Sequence, residues 1–392
     1  MWEFEFDDDI DRRLRETTGD GLFLPGDLPQ VLIRAAFNEP LWLMKGRVQQ
    51  WWRSAEYHGH DLGPQIAVAI NDSTAVNAYA LPDERGPIIT LSAGACIRLR
   101  QLMHLVTWNM KDFPTQGSEG ELPNGRLLSS SLNPQLAEDI LVPIDLSAGQ
   151  DEMRYLELLL PVAPSEKRGY LANVLTLAAF DFMVMHEISH IVRGHARFLG
   201  SVPNFFFEGG SAQAYGPIPG DKLALRRLLE LDADLSATAT SAAQFAGLGE
   251  IIPAWRRWTD NTTEVQDLWL TSLALLFSFF DAWSIKSEFH EPTHPPVGVR
   301  LLSIASVLFD ELAEGFPTVD NPTGGMTEEG LGLAWRVYSA LERAARAWEV
   351  ADLPEVSARL ITGKAGFEPL MSKFGSYRTD LIESGLRKSV DM

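Results

Sequence analysis

Residues 173–195 read NVLTLAAFDFMVMHEISHIVRGH, an apolar run that leads directly into three histidines and a glutamate. The chain holds only eight histidines in 392 residues, so three of them this close together form a conspicuous cluster. The apolar spacing predicts a long helix over 170–198. Because residues four apart lie on one face of a helix, His186 and His190 can direct two ring nitrogens at one metal ion. The stretch therefore predicts a rigid helix that carries two ligands of a metal site.

The pentapeptide HEISH matches the pattern H-E-x-x-H, in which two histidines bind zinc and the glutamate acts on a water molecule. Glu187 lies on the neighbouring face of the helix, which makes it the candidate general base and not a ligand. The alternative is a surface helix that merely pairs glutamate with histidine. Such a helix would have a polar approach, whereas residues 173–185 are almost entirely apolar. We therefore predict one Zn²⁺ per chain, bound by His186 and His190.

A catalytic zinc site needs a third protein ligand and an open position for water. The stretch LLELDADLSA at 228–237 offers three carboxylates among apolar residues, on a predicted helix. We predict Glu230 as the third ligand, with Asp232 as the competing candidate on another face. Asp234, one turn after Glu230, can accept a hydrogen bond from a ligating histidine and so fix its tautomer. The alternative interpretation is a set of ordinary solvated acids, which the apolar neighbours disfavour.

The remaining histidines differ in what their positions predict. His195 follows the second ligand by five residues and is out of register with the ligand face, so we predict that it supports a ligand instead of binding zinc. His294 precedes two prolines at a predicted helix start, where it either stabilises an oxyanion or caps the helix at the surface. The HGH pair at 58–60 lacks a partner motif and predicts a surface turn.

Three short apolar runs rich in strand-forming residues follow the turn at 63–64 and predict a small antiparallel sheet. Ser92 then stands where an N-cap is expected, at the start of the helical pattern SAGACIRLRQ. The predicted fold class is α+β and mainly helical, with the sheet beside a bundle of helices that carries the zinc site. The predicted strands are 66–70, 76–81 and 88–91, and the predicted helices after residue 169 are 170–198, 222–243, 265–286, 297–312 and 331–350.

Composition disfavours several classes of protein. The 33 basic and 53 acidic residues give a formal net charge of −20, which opposes binding to nucleic acids and anionic membranes. The single cysteine, Cys96, cannot form an internal disulfide, and the acidic N-terminus lacks the features of a signal peptide. The nearest approach to a membrane span, 268–285, contains Asp281 and several hydroxyl residues and predicts a buried core helix. We therefore expect a cytoplasmic protein with no membrane span and no nucleic-acid partner.

Four separated stretches resemble one family in order and type. HEISHIVRGH, ELDAD and THPPVGVRL are similar to motifs of the gluzincin metallopeptidases of the CAAX-prenyl-protease and HtpX heat-shock-protease group. NAYALPDERGPIITLSAGACIRL resembles that group's Asn-Ala-Phe-Ala-Leu-Pro stretch with its following strand and helix. The resemblance covers 66–110 and 170–312. The chain departs from the family in three ways: it has the insertion over 111–167, it lacks predicted membrane spans, and it has Asp-Glu-Arg-Gly where the family usually has glycines after Leu-Pro. The Gly-His ending of HEISHIVRGH also resembles, in this one segment, the Lit-type phage-exclusion peptidases.

The resemblance implies that His186, His190 and Glu230 bind zinc, that Glu187 is the base and that Asp234 supports a ligand. A second set of implications concerns the substrate. The resemblance implies that the strand containing Asn77, Ala78, Tyr79 and Ala80 borders the cleft and binds an extended substrate through main-chain hydrogen bonds. It also favours a catalytic role for His294, and Tyr79 is a second candidate to stabilise the oxyanion.

The chain is thus expected to be a soluble zinc metalloendopeptidase that acts on a protein or peptide substrate. Its predicted parts are an N-terminal helical region over 1–63, a metallopeptidase-like domain over 64–312 with the insertion 111–167, and a C-terminal helical region over 313–392. One alternative is a zinc-stabilised sensor that binds a peptide without cleaving it, with the insertion covering the cleft. A metallohydrolase that acts on something other than a peptide is the third possibility.

Overall fold

The computed structural model describes the following residues: 7–23, 37–57, 65–74, 76–81, 85–109, 166–195, 220–251, 262–286, 294–310, 328–350 and 354–361. These residues are mainly helical and include a small three-stranded sheet, as the sequence predicted. The helices are α1 Asp8–Thr18, α2 Glu39–Tyr57, α3 Ala93–Asn109, α4 Glu166–Val192, α5 Gly220–Ile251, α6 Thr262–Lys286, α7 Val297–Asp310, α8 Glu328–Val350 and α9 Pro354–Ile361. The strands are β1 Ala67–Asn71, β2 Ala78–Leu81 and β3 Ile88–Ser92.

The chain divides into two compact units. The first unit comprises 1–108, 130–217 and 283–289, and the second comprises 109–129, 218–282 and 290–392. The predicted boundaries after residues 63 and 312, and nearly all of the insertion 111–167, lie outside the described residues, so the three-part division stays a prediction.

The sheet of the first unit has the strand order β1-β3-β2. β2 pairs with β3 in the antiparallel direction, as expected, whereas β1 pairs with β3 in the parallel direction. The sheet is therefore mixed and not purely antiparallel. The reason is topological: the chain reverses direction between β1 and β2 and again between β2 and β3, so the first and third strands run the same way. β3 then lies between the other two strands.

One face of this sheet packs against α1. Leu14 of the helix joins Ala69, Tyr79, Leu81 and Ile88 in a cluster of buried side chains. The segment after α1 extends the sheet beside β1, because the backbone N–H of Phe23 donates to the carbonyl of Ile70 at 2.8 Å. The N-terminal helix is thus anchored to the sheet by both apolar packing and main-chain hydrogen bonds.

The long helix α4 lies against β2 and β3, and α2 packs beside it. Arg47 of α2 donates to the carboxylate of Asp181 on α4, and both side chains are buried. Ser92 caps α3 as predicted, since its hydroxyl accepts from the backbone N–H of Ala95 at 2.9 Å. The helix that bears the histidine motif is therefore held by the sheet and by a neighbouring helix.

The second unit consists of helices in the described residues. α7 packs against α5 and α8, and α8 packs against α9. Two contacts join α6 to α8: the Trp348 indole N–H donates to the Ser278 hydroxyl at 2.8 Å, and Arg336 pairs with Asp267 at 2.7 Å. All five helices predicted after residue 169 are present, with ends shifted by up to eight residues.

Among the described residues, one helix segment, Gly169–Val192, is long and apolar enough to cross a membrane by length and composition. Its most apolar window is 89% buried inside the protein, and buried core helices pass the same test. The segment 268–285, which the sequence singled out, lies within α6, where nearly every described side chain is buried.

Candidate metal centre

The last turns of α4 bring two imidazole rings together. His186 and His190 are one helical turn apart, and their Nε2 atoms lie 3.0 Å from each other. The rings are nearly perpendicular, at 81°, and the two residues are only 6% and 4% exposed. The i, i+4 spacing of the motif thus produces two convergent nitrogen atoms in a dry environment, as the sequence predicted.

Glu230 of α5 completes a group that could hold a metal ion. One ligand atom from each of His186, His190 and Glu230 lies within 4.8 Å of the others, and all three residues are buried. Ligand atoms about 2.0–2.1 Å from a tetrahedral zinc lie about 3.3–3.4 Å apart, so this spread is within side-chain reach of such a site. Two imidazoles and a carboxylate are also a donor set of catalytic zinc sites. The residues therefore fit the predicted ion.

The competing carboxylate does not belong to this group. Asp232 is buried, at 1% exposure, but it lies two residues further along α5, on a different face from Glu230. The group that the structure assembles contains Glu230 instead. Of the two acids, Glu230, the predicted ligand, is the one that lies with the histidines.

Glu230 has two partners of its own within the second unit. His294 Nε2 lies 3.0 Å from Oε2 of Glu230, and Arg226 Nε, one turn earlier on α5, lies 3.9 Å from Oε1. His294 immediately precedes the two prolines at the start of α7, and the backbone N–H of Val299 donates to the Pro296 carbonyl at 2.8 Å. The predicted helix start is confirmed, and it holds His294 against the carboxylate. Sequence reasoning missed Arg226, although its i, i+4 spacing from Glu230 was a readable signal.

His195 touches a ligand, although it is not a member of the group. Its Nδ1 lies 2.8 Å from Nδ1 of His190, and its side chain is 1% exposed. α4 ends at Val192, and Gly194 takes a left-handed conformation with φ of +68°. Glycine adopts this conformation without a steric penalty, and the turn brings His195 back toward the helix end.

Asp234 forms a buried ion pair with Arg300. Its Oδ2 accepts from Arg300 Nε and its Oδ1 accepts from Arg300 Nη2, each at 2.7 Å. The guanidinium also lies 3.8 Å from the centre of the Phe277 ring. Asp234 is fully buried and Arg300 is 5% exposed. This two-pronged ion pair fastens α7 to α5, and the predicted support of a ligating histidine by Asp234 stays a prediction.

Glu187 lies in the chain directly after His186 and is 8% exposed. It is outside the group of possible ligands, in keeping with its predicted role as a base. The carboxylate that lies with His186 and His190 therefore belongs to Glu230 and not to Glu187 of the motif.

No protein-family model, curated protein or solved structure matches this chain. The chemistry of the site must accordingly be argued from the residues themselves.

The predicted substrate strand is buried where the structure describes it. Asn77, Ala78, Tyr79 and Ala80 are at most 6% exposed. Tyr79 belongs to the apolar cluster beneath α1, so its side chain lies in the core and not at the metal site. Ala78 and Ala80 alternate with Tyr79 along β2 and so point to the opposite face of the sheet. The candidate pair at 58–60 lies outside the described residues.

Proposed function

We propose that this protein is a zinc-dependent metalloendopeptidase of the gluzincin type. The observation that carries the proposal is the buried group of His186, His190 and Glu230, in which a glutamate from a separate helix meets the two histidines of an H-E-x-x-H helix. The motif resemblances to the CAAX-prenyl-protease and HtpX group support the same assignment. Zinc, the peptidase activity and a cytoplasmic location are parts of this proposal.

The proposed mechanism assigns one task to each residue. His186, His190 and Glu230 would hold Zn²⁺, which when bound supplies a Lewis acid that acidifies water and polarises a carbonyl. Glu187 accepts a proton from the attacking water, whose oxygen bonds to the peptide carbonyl carbon. Glu187 then donates that proton to the amide nitrogen as the C–N bond breaks, which leaves one new carboxyl group and one new amine.

The surroundings of the ligands suit this chemistry. Glu230 is a buried carboxylate whose Oε2 lies 3.0 Å from His294 Nε2, and Arg226 Nε forms a longer ion pair, at 3.9 Å, with its Oε1. His294 is thereby assigned to the carboxylate in place of the oxyanion, because its Nε2 lies 3.0 Å from Glu230. The apolar, buried body of α4 excludes water from the histidine side of the site, and this strengthens electrostatic interactions there.

The first test separates binding from catalysis. Purified full-length protein is loaded with zinc, its metal content is measured, and hydrolysis of an unfolded casein-like substrate is followed. We expect one zinc per chain and hydrolysis that Glu187→Gln lowers by about 100-fold or more, with the zinc retained. Wild-type zinc binding without cleavage of any protein substrate would favour the peptide-binding alternative, and full activity of Glu187→Gln would refute the assigned base.

A matched pair of acids on α5 tests the ligand assignment. Glu230→Gln is expected to lose zinc, whereas Asp232→Asn, a change of the same kind two residues away, is expected to retain it. Zinc content after dialysis against a weak chelator measures both. If Asp232→Asn loses the metal and Glu230→Gln keeps it, the third ligand has been misassigned.

A further inference from the structure

We propose that His195 is a positioning residue that fixes the tautomer of His190 by accepting a hydrogen bond from its Nδ1. The inference rests on the zinc site of the proposed function and gives it a specific supporting contact. It begins from the short distance of 2.8 Å between Nδ1 of His190 and Nδ1 of His195. A neutral histidine carries one ring proton, so such a contact requires one nitrogen to donate and the other to accept.

The other nitrogen of His190 decides the direction of this bond. Nε2 of His190 faces Nε2 of His186 at 3.0 Å, inside the ligand group. A nitrogen that binds a metal offers a lone pair and carries no proton. The proton of His190 must then reside on Nδ1, which makes Nδ1 of His195 the acceptor and places the proton of His195 on its Nε2.

The local backbone is built for this contact. Consecutive residues on an α-helix are rotated by about 100°, so residues 190 and 195 on a continued helix would be about 140° apart and could not touch. The helix ends at Val192 instead, and the left-handed Gly194 reverses the chain. The amide of Gly194 donates to the carbonyl of Ile191 at 3.1 Å, which closes the turn. The turn therefore brings His195, which a continued helix would direct away from His190, into contact with it.

Burial strengthens the effect. His190 and His195 are 4% and 1% exposed, so water competes little for the hydrogen bond between them. In metal sites, a partner on the second ring nitrogen orients the imidazole and makes it a better ligand, and loss of that partner lowers metal affinity about 10- to 100-fold. His195 should contribute on this scale to zinc affinity.

The test measures zinc affinity of the whole protein by competition with a chromophoric chelator. His195→Leu is expected to bind zinc about 10- to 100-fold more weakly than wild type. His195→Asn, whose amide oxygen can accept near the position of Nδ1, should recover most of the loss. His104→Leu serves as the control, since His104 is also a buried histidine of the first unit, in α3, and should leave affinity unchanged.

The outcomes separate the two proposals. If wild type binds no zinc, the proposed function fails. If wild type binds zinc and folded His195→Leu binds it equally well, or if His195→Asn is as weak as His195→Leu, the positioning role is refuted. Should His195→Leu not fold, ¹⁵N spectra of zinc-loaded wild type decide: His190 protonated at Nδ1 and His195 at Nε2 support the inference, and the reverse tautomers overturn it.

Discussion

At the level of single residues, burial can shift the pKa of a side chain. His104, in the fully buried part of α3, is an example outside the metal centre. Burial, together with the positive charge of Arg100, lowers the pKa of His104 from 6.5 to about 4, against an opposing hydrogen bond to Asn173. The residue is therefore kept neutral in the folded protein down to acidic pH.

This shift predicts a loss of stability in mild acid. The unfolded chain takes up a proton at His104 near pH 6.5, whereas the folded chain does so only near pH 4. The stability contributed by neutral His104 is thus complete above pH 6.5 and falls as the pH drops toward 4, by at most about 3 kcal/mol. Urea unfolding at pH 7.5 and 5, in chelator to remove metal effects, should show a steeper loss for wild type than for His104→Gln.

At the level of secondary structure elements, replacing two glycines of the first unit by alanine is expected to change the free energy of unfolding in opposite directions. Gly19 ends α1 with φ of +83°, and its N–H donates to the Arg15 carbonyl at 3.2 Å. Gly46 lies inside α2 with ordinary helical geometry. A Cβ added at either glycine would meet no atom within 4 Å, so backbone conformation alone decides the effect of an alanine.

We expect Gly19→Ala to lower the free energy of unfolding by about 1–2 kcal/mol, because alanine is strained in the left-handed region. Gly46→Ala should raise it by about 0.5–1 kcal/mol, because alanine loses less backbone entropy in a helix. Chemical denaturation of the two variants beside wild type measures both. Changes of the same sign would contradict the assigned conformations.

The second prediction at this scale concerns the ion pair between Asp234 of α5 and Arg300 of α7. Arg300→Met would leave the fully buried carboxylate of Asp234 without its guanidinium, and we expect it to cost about 3–5 kcal/mol. The double variant Arg300→Met with Asp234→Leu removes both charges and should recover much of that loss. A double-mutant cycle from unfolding curves checks the coupling. Additive losses would mean that the pair contributes nothing as a unit.

At the level of the whole molecule, metal binding should be linked to folding. The three ligand residues come from α4 and α5, and 39 residues lie between His190 and Glu230, so an unfolded chain does not hold them together. Free zinc at about 100 times its Kd should raise stability by about 2.7 kcal/mol. Calorimetry should show a Tm that rises with zinc and falls with chelator in wild type, while Glu230→Gln stays unaffected. A zinc-independent wild-type Tm would contradict the site.

Much of the architecture followed from local patterns. The 3.6-residue periodicity located the helices after residue 169, Ser92 marked the start of α3, and the Pro-Pro pair marked the start of α7. The pairing direction of β1 and β3 did not follow, because a strand's own residues do not specify its neighbour.

The sequence by itself determined the pair His186 and His190, because their i, i+4 spacing on an apolar helix places both rings on one face. Only the tertiary structure decided among the three acids of ELDAD, since Glu230, Asp232 and Asp234 are chemically alike and differ in which way α5 turns them. It placed Glu230 with the histidines and Asp234 with Arg300. Helical periodicity can be recognised from residues that are close in the chain, whereas the side chains that meet at a metal site depend on how distant helices pack together.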